Sequence, residues 1–77
     1  MNYKEELQKL GYKTHIERAE AIRNGRTFYR FELSMNHSDG SWHKVQRETD
    51  FYPSDNAMYF CGYIWLQQAN ELALQPN

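Results

Sequence analysis

One cysteine, three histidines and several arginines interleaved with aromatic rings are the side chains with chemistry to offer in this chain. Cys61 with a histidine base would form a thiol nucleophile, which requires an exposed, electropositive sulfur. It stands between Phe60 and Gly62 in the most apolar part of the chain, where a small buried hydrophobe is the expected role. His37, Asp39 and His43 flank one polar turn and carry donor atoms suited to a divalent metal. Three ligands around a solvated loop make a weak site, and no Cys/His set has zinc-finger spacing. Gly11, Gly25, Gly40 and Gly62 are isolated from one another, so no glycine-rich phosphate loop exists. Neither catalysis, nor a cofactor, nor a metal is expected.

Binding is the stronger expectation. Aromatic residues make up 16% of the chain, with six tyrosines and two tryptophans, and Tyr, Trp and Arg are the residues that anchor interfaces. Tyr59, Tyr63 and Trp65 fall on the last segment without an evident partner inside the chain, and Trp42 opens a charged strand. These four are the expected protein-binding residues; the competing reading is that the rings fill a small core. The alternative function is a nucleic-acid-binding β-hairpin. Arg23 and Arg26 flank Asn24-Gly25, while Arg30, Lys44 and Arg47 follow on later segments beside Phe28 and Trp42, a combination of charge and stacking surface that suits a polyanion.

Charge distribution weighs against that alternative. The net charge is −1, but the span from Tyr12 to Arg47 holds seven bases and four acids, whereas Glu48 onward holds four acids and no base. The acidic end would repel phosphates. Ser54-Asp55-Asn56-Ala57-Met58, at the start of the last helix, carries an acid and no base. Glu17, Glu32 and Glu48 are further positioned to pair with the arginines on a solvated face.

The elements that must position these side chains follow from turn and cap signals. Asn2 can cap a short helix ending at Leu10, with Gly11 as a left-handed C-cap and Tyr3, Leu7 and Leu10 as its apolar stripe. Asn24-Gly25 predicts a type I′ hairpin turn. The arm after it alternates, with Tyr29, Phe31, Leu33 and Met35 on one side. The arm before it puts Ile16 opposite Leu33 and Ile22 opposite Thr27, but also turns Arg18 and Glu20 to the core side, so a bulge is expected. A helix from Thr14 to Asn24 competes, because Thr14-His15-Ile16-Glu17 has capping-box form. Trp42 to Asp50 reads as a third, edge strand.

Phe51-Tyr52-Pro53-Ser54-Asp55 predicts a helix start with an aromatic staple, and the helix should run to Leu74, before Pro76. Ala57, Met58, Cys61, Trp65, Ala69, Leu72 and Ala73 make one broad apolar face, and Tyr59, Phe60, Tyr63, Ile64 and Leu66 spread around the rest. One small sheet cannot cover such a helix. The first helix and a second copy of the chain are the expected covers.

The fold class is therefore α+β, in the order α-β-β-β-α, with a three-stranded antiparallel sheet packed against a long C-terminal helix in one domain, residues 1–77. A domain of this length buries only about 60% of the surface its unfolded chain exposes. With a lone cysteine and no zinc spacing, self-association is the remaining way to add burial. Met1 is followed by no apolar leader segment, which reads as cytoplasmic. The run from Ala57 to Leu66 is half of the roughly 20 residues a membrane span needs. The expected function is that of a non-catalytic binding or regulatory protein, a homodimer acting through protein–protein contact, such as an accessory regulator or inhibitor encoded on a mobile element.

Overall fold

The computed structural model describes the backbone of residues 2–74 and the side chains of residues 2–69. Its elements are α1 (Tyr3–Lys9), β1 (Tyr12–Arg23), β2 (Arg26–His37), β3 (Trp42–Thr49) and α2 (Asp55–Leu74). The strands form one antiparallel sheet in the order β1-β2-β3. The α+β class and its element order are as the sequence indicates.

α1 begins where the Asn2 side chain accepts a hydrogen bond from the Glu5 amide, and it ends with Gly11 at φ 94° just past the cap Leu10. Leu7 is fully buried. Leu10 belongs to the same apolar stripe but is half exposed, because the chain leaves the helix there and turns into β1.

Residues 14–24 form strand and turn, not helix. Asn24 and Gly25 both adopt positive φ, 54° and 73°, the conformation a type I′ turn demands and one that matches the twist of the arms. The register runs one to one from Arg23 opposite Arg26 to Tyr12 opposite His37. The expected bulge is therefore absent. Arg18 does face the helix side, yet it lies where α2 begins. There its Nε donates to the Pro53 carbonyl at 3.1 Å, its guanidinium pairs with Asp55, and it lies 5.3 Å from the centre of the Tyr52 ring. A charge that can reach a solvated acid past the end of a helix needs no break in the strand.

The β2–β3 turn is held by side chains. Asp39 Oδ1 accepts from both the amide and the hydroxyl of Ser41, at 2.8 and 2.7 Å. Those two bonds, with His37 beside them, lower the Asp39 carboxyl from 3.8 to about 2. A depressed folded-state value means that this stabilisation is complete above the ordinary value and disappears as pH falls through about 2. A carboxyl titration followed by NMR should place the Asp39 midpoint near 2, and Ser41→Ala should move it back toward 3.8; an unchanged midpoint would contradict the assignment of the hydroxyl as its main cause.

α2 starts at Ser54, whose Oγ accepts from the Ala57 amide at 3.2 Å. The expected staple does not form. Phe51 and Tyr52 are 60% and 65% exposed, and Tyr52 instead packs edge-on to Tyr29 on the sheet, while Pro53 is buried. The side chains of Leu72 and Ala73, and the stop before Pro76, lie outside the described residues. Among the described residues, no helix is long and apolar enough to cross a membrane.

Both helices lie on one face of the sheet. Leu7 of α1, Leu33 and Met35 of β2, Val45 of β3, and Tyr59 and Leu66 of α2 form the buried cluster. Gly62 lets α2 approach closely: a Cβ there would stand 2.5 Å from Leu33 Cδ2 and 2.9 Å from Met35 Sδ. Among the described residues, the opposite face of the sheet carries no helix. β3 ends opposite Tyr29, so the hairpin continues past it as a two-stranded ribbon from Ala21 and Phe28 to the turn.

Candidate functional site

The rings expected to seek a partner from α2 are largely satisfied inside the chain. Tyr59 is only 9% exposed and belongs to the core. Tyr63 and Phe60 both meet Tyr3 of α1, with ring centroids 5.5 and 4.9 Å apart, and Trp65 packs on His43 of β3 at 4.8 Å. The short α1 thus covers Phe60 and Tyr63 through Tyr3, and β3 covers Trp65 through His43. Only Tyr3, Leu7 and Leu10 are apolar in α1 and its cap, so its composition gives little sign of this cover. Of the four residues expected to bind protein, Trp42 alone stands out in solvent, 61% exposed.

Trp42 lies on the helix-free face of the sheet, opposite Asn36. Alternation puts Lys13, His15, Glu17, Ala19 and Ala21 of β1, and Phe28, Arg30, Glu32 and Ser34 of β2, on that same face. Arg23, Arg26, Arg30 and Lys44, four of the five residues considered for nucleic acid, gather there. Arg47 does not: it pairs with Phe31 on the helix-bearing face and donates to the Gln46 carbonyl at 2.9 Å.

Most of those cations are already engaged. Glu48 lies 3.0 Å from Arg30 and 3.9 Å from Arg23, and Glu32 lies 3.1 Å from Lys44. Glu32 also accepts from Gln46 Nε2 at 2.9 Å; this bond, then Lys44, holds its carboxyl below the ordinary carboxylate value. Phe28 sits between two guanidiniums, 4.6 Å from Arg23 and 5.7 Å from Arg30, while Lys44 lies 5.7 Å from the Trp42 ring. The face is a set of cross-strand ion pairs bounded by cation–aromatic contacts at Phe28 and at Trp42. A shallow depression over Ala19 lies between Glu17, Arg30 and Glu48, where the small side chain leaves a gap among long ones. Arg26, directly opposite Arg23 at the ribbon tip, has no ion-pair partner among the described residues.

A second exposed area lies on the other side of the ribbon, beyond the reach of α2. Ile22 is 77% exposed, and Tyr52 stands near the same end of the sheet with Tyr29 and Arg18; the exposed Phe51 lies instead beside Arg23, Phe28 and Glu48. The sequence indicates correctly that Ile22 faces the core side. It does not reveal that β3 and α2 stop before reaching it, because that depends on where two separate elements end.

The remaining chemical candidates have structural roles. His37 Nε2 donates to the Leu10 carbonyl at 3.0 Å and its Nδ1 accepts from the Asp39 amide at 3.1 Å, so the ring ties the β2–β3 turn to the end of α1 through both nitrogens. His43 points instead toward Tyr12 and Trp65. Among the described residues, no three His, Cys, Asp or Glu side chains converge as a metal site would. Cys61 is half-buried against the core cluster.

Together these features define a small α+β protein with a one-sided helical layer, a charged open sheet face and a projecting β-ribbon. Comparison with protein-family models, curated proteins and solved structures gives no match.

Proposed function

We propose that this is a non-catalytic binding protein that self-associates and acts by contacting another protein, as an accessory regulator or inhibitor does. The observation that carries this reading is the exposure of Trp42, Phe51 and Tyr52, three large rings left outside a core that already encloses Tyr59 and half-buries Tyr63 and Trp65. Trp and Tyr give up much apolar area for little conformational entropy when a partner covers them. The cations beside them, Lys44 at Trp42 and Arg18 at Tyr52, are each held by an acid of the same chain, Glu32 and Asp55, so the rings rather than the charges carry this reading. The working compartment in this proposal is the cytoplasm, where the lone thiol of Cys61 stays reduced.

The test compares bait proteins. Wild type, Trp42→Ala and Tyr52→Ala, each verified as folded by circular dichroism, are used to retain proteins from the native host, and the bound material is identified by mass spectrometry. A protein held by wild type and lost by at least one variant is the expected result. Equal retention by all three overturns this choice of surface.

The second reading, a nucleic-acid binder, draws on Arg23, Arg26 and Phe28 clustered at the ribbon tip. The glutamates on Arg23, Arg30 and Lys44 compete with phosphate for the same cations. Generic duplex and single-stranded oligonucleotide should show no mobility shift with micromolar protein at about 50 mM salt; a shift at that concentration would favour the second reading.

A further inference from the structure

We infer that two copies of the chain join through the free edges of β1, in antiparallel pairing about a two-fold axis at Ala19, to make one continuous six-stranded sheet. The inference rests on the self-association proposed above and gives it a surface, which is the strand edge and not α2.

β1 is twelve residues long and, among the described residues, has β2 as its single strand neighbour. The two-residue turn makes Arg23 and Arg26 a hydrogen-bonded pair. By alternation, the odd-numbered residues of β1 bond to β2, and the even-numbered ones, from Thr14 to Ile22, turn their amides and carbonyls outward. Such a row is a template for another strand. The strand contains no proline, its pairing with β2 has no bulge, and its charges are of both signs, so pairing depends on the register that matches them.

The side chains select the partner and the register. With the axis at Ala19, residue pairs across the new seam have numbers summing to 38. Arg18, whose guanidinium also pairs with Asp55 of its own chain, then stands opposite the partner's Glu20 and Glu20 opposite the partner's Arg18, so the otherwise unpaired Glu20 gains a cation on each side of the axis by symmetry. Ile22, 77% exposed in the single chain, comes to lie opposite the partner's half-buried Ile16, and the reverse pair closes on the other side. On the open face, Glu17 meets Ala21 and sits diagonal to the partner's Arg23, while the two Ala19 methyl groups meet at the axis without obstruction. Arg23 falls opposite His15, whose ring is 3.2 Å from Glu17 of its own strand.

Other axes fail on the same criteria. At Glu17, Arg18 or Glu20, a charged residue opposes its own copy. At Ile16, Glu20 faces Tyr12 and Ile22 extends beyond the end of the partner strand. At Ala21, Ile22 faces Glu20. Ala19 is the axis that covers Ile22 with an apolar side chain and gives both Arg18 and Glu20 an opposite charge. Glu20 has no ion-pair partner within the described residues of the single chain.

Sedimentation equilibrium of the wild type at about 100 µM should give twice the 9.3 kDa chain mass; the mass of one chain would overturn both this inference and the self-association it rests on. Register is then read by crosslinking in a Cys61→Ala background. Residues at the axis form a pair without mutual hydrogen bonds, about 4.5 Å between Cα atoms, which a disulfide can bridge. Ala19→Cys should therefore oxidise to a covalent dimer. Ala21→Cys should not, because its two copies lie four residues apart along the strands, roughly 14 Å. A dimer in which Ala19→Cys fails to crosslink, or in which Ala21→Cys crosslinks equally well, overturns the β1 seam and leaves the broader proposal standing. Glu20→Arg, at an exposed position, should weaken dimerisation about ten-fold while the circular dichroism spectrum is retained; unchanged association would likewise overturn the seam.

Discussion

Gly62→Ala should destabilise the protein by about 1–3 kcal/mol, the usual cost of adding a methyl group to a filled interior. The sign is the informative part. Within a helix, glycine is about 1 kcal/mol worse than alanine, so the same substitution on an exposed face of α2 would stabilise. At Gly62 the added Cβ would lie 2.5 Å from Leu33 Cδ2 and 2.9 Å from Met35 Sδ. Methionine could swing aside on a surface, but Leu33 and Met35 are both fully buried, and each displacement passes the strain to another packed atom. Urea denaturation of the two proteins, compared at equal m-value, measures the change directly. A stabilised Gly62→Ala variant would mean that the helix does not sit as close to the sheet as described.

Leu33→Ala should cost more, about 2–5 kcal/mol, since it removes a fully buried side chain from the centre of the sheet and leaves a cavity. A domain of 77 residues has a total stability of only about 4–12 kcal/mol, so much of the folded population is at risk. Combining the two substitutions gives a sharper result. The space vacated by Leu33 is the space that a Cβ at Gly62 requires, so the double variant should be more stable than the sum of the single effects predicts, by about 0.5–3 kcal/mol. Strict additivity would mean that the two positions do not contact each other.

Local signals made most of this fold legible. Asn24-Gly25 imposes its turn through backbone conformations few other residue pairs adopt, and the alternation after it identifies Tyr29, Phe31, Leu33 and Met35 as one face. Ser54 and Asp55 mark the start of α2 because a cap is satisfied within four residues. The features that escaped reading depend on distances between elements. Phe51 and Tyr52 have the pattern of a staple, yet Tyr52 finds Tyr29 and Arg18, residues more than twenty positions away. Gly62 looks like an isolated helical glycine until Leu33 and Met35 are placed beneath it. The candidate site was legible in part: Arg23, Arg26, Arg30 and Lys44 share a face by alternation alone, and Arg47 leaves it because β3 pairs it with Phe31. The expectation for Tyr59, Tyr63 and Trp65 did not foresee that α1 and β3 would supply their neighbours.

The order of the strands also determines how the chain reaches this arrangement. Each strand pairs with its neighbour in sequence, and the β1–β2 turn is only two residues long, so the sheet can assemble from short loop closures on a timescale of microseconds. Tyr3 must wait, because its contacts are with Phe60 and Tyr63 near the opposite end of the chain. Until α1 docks, Phe60 and Tyr63 lack the ring that covers them, and exposed rings of this kind are where misassociation begins.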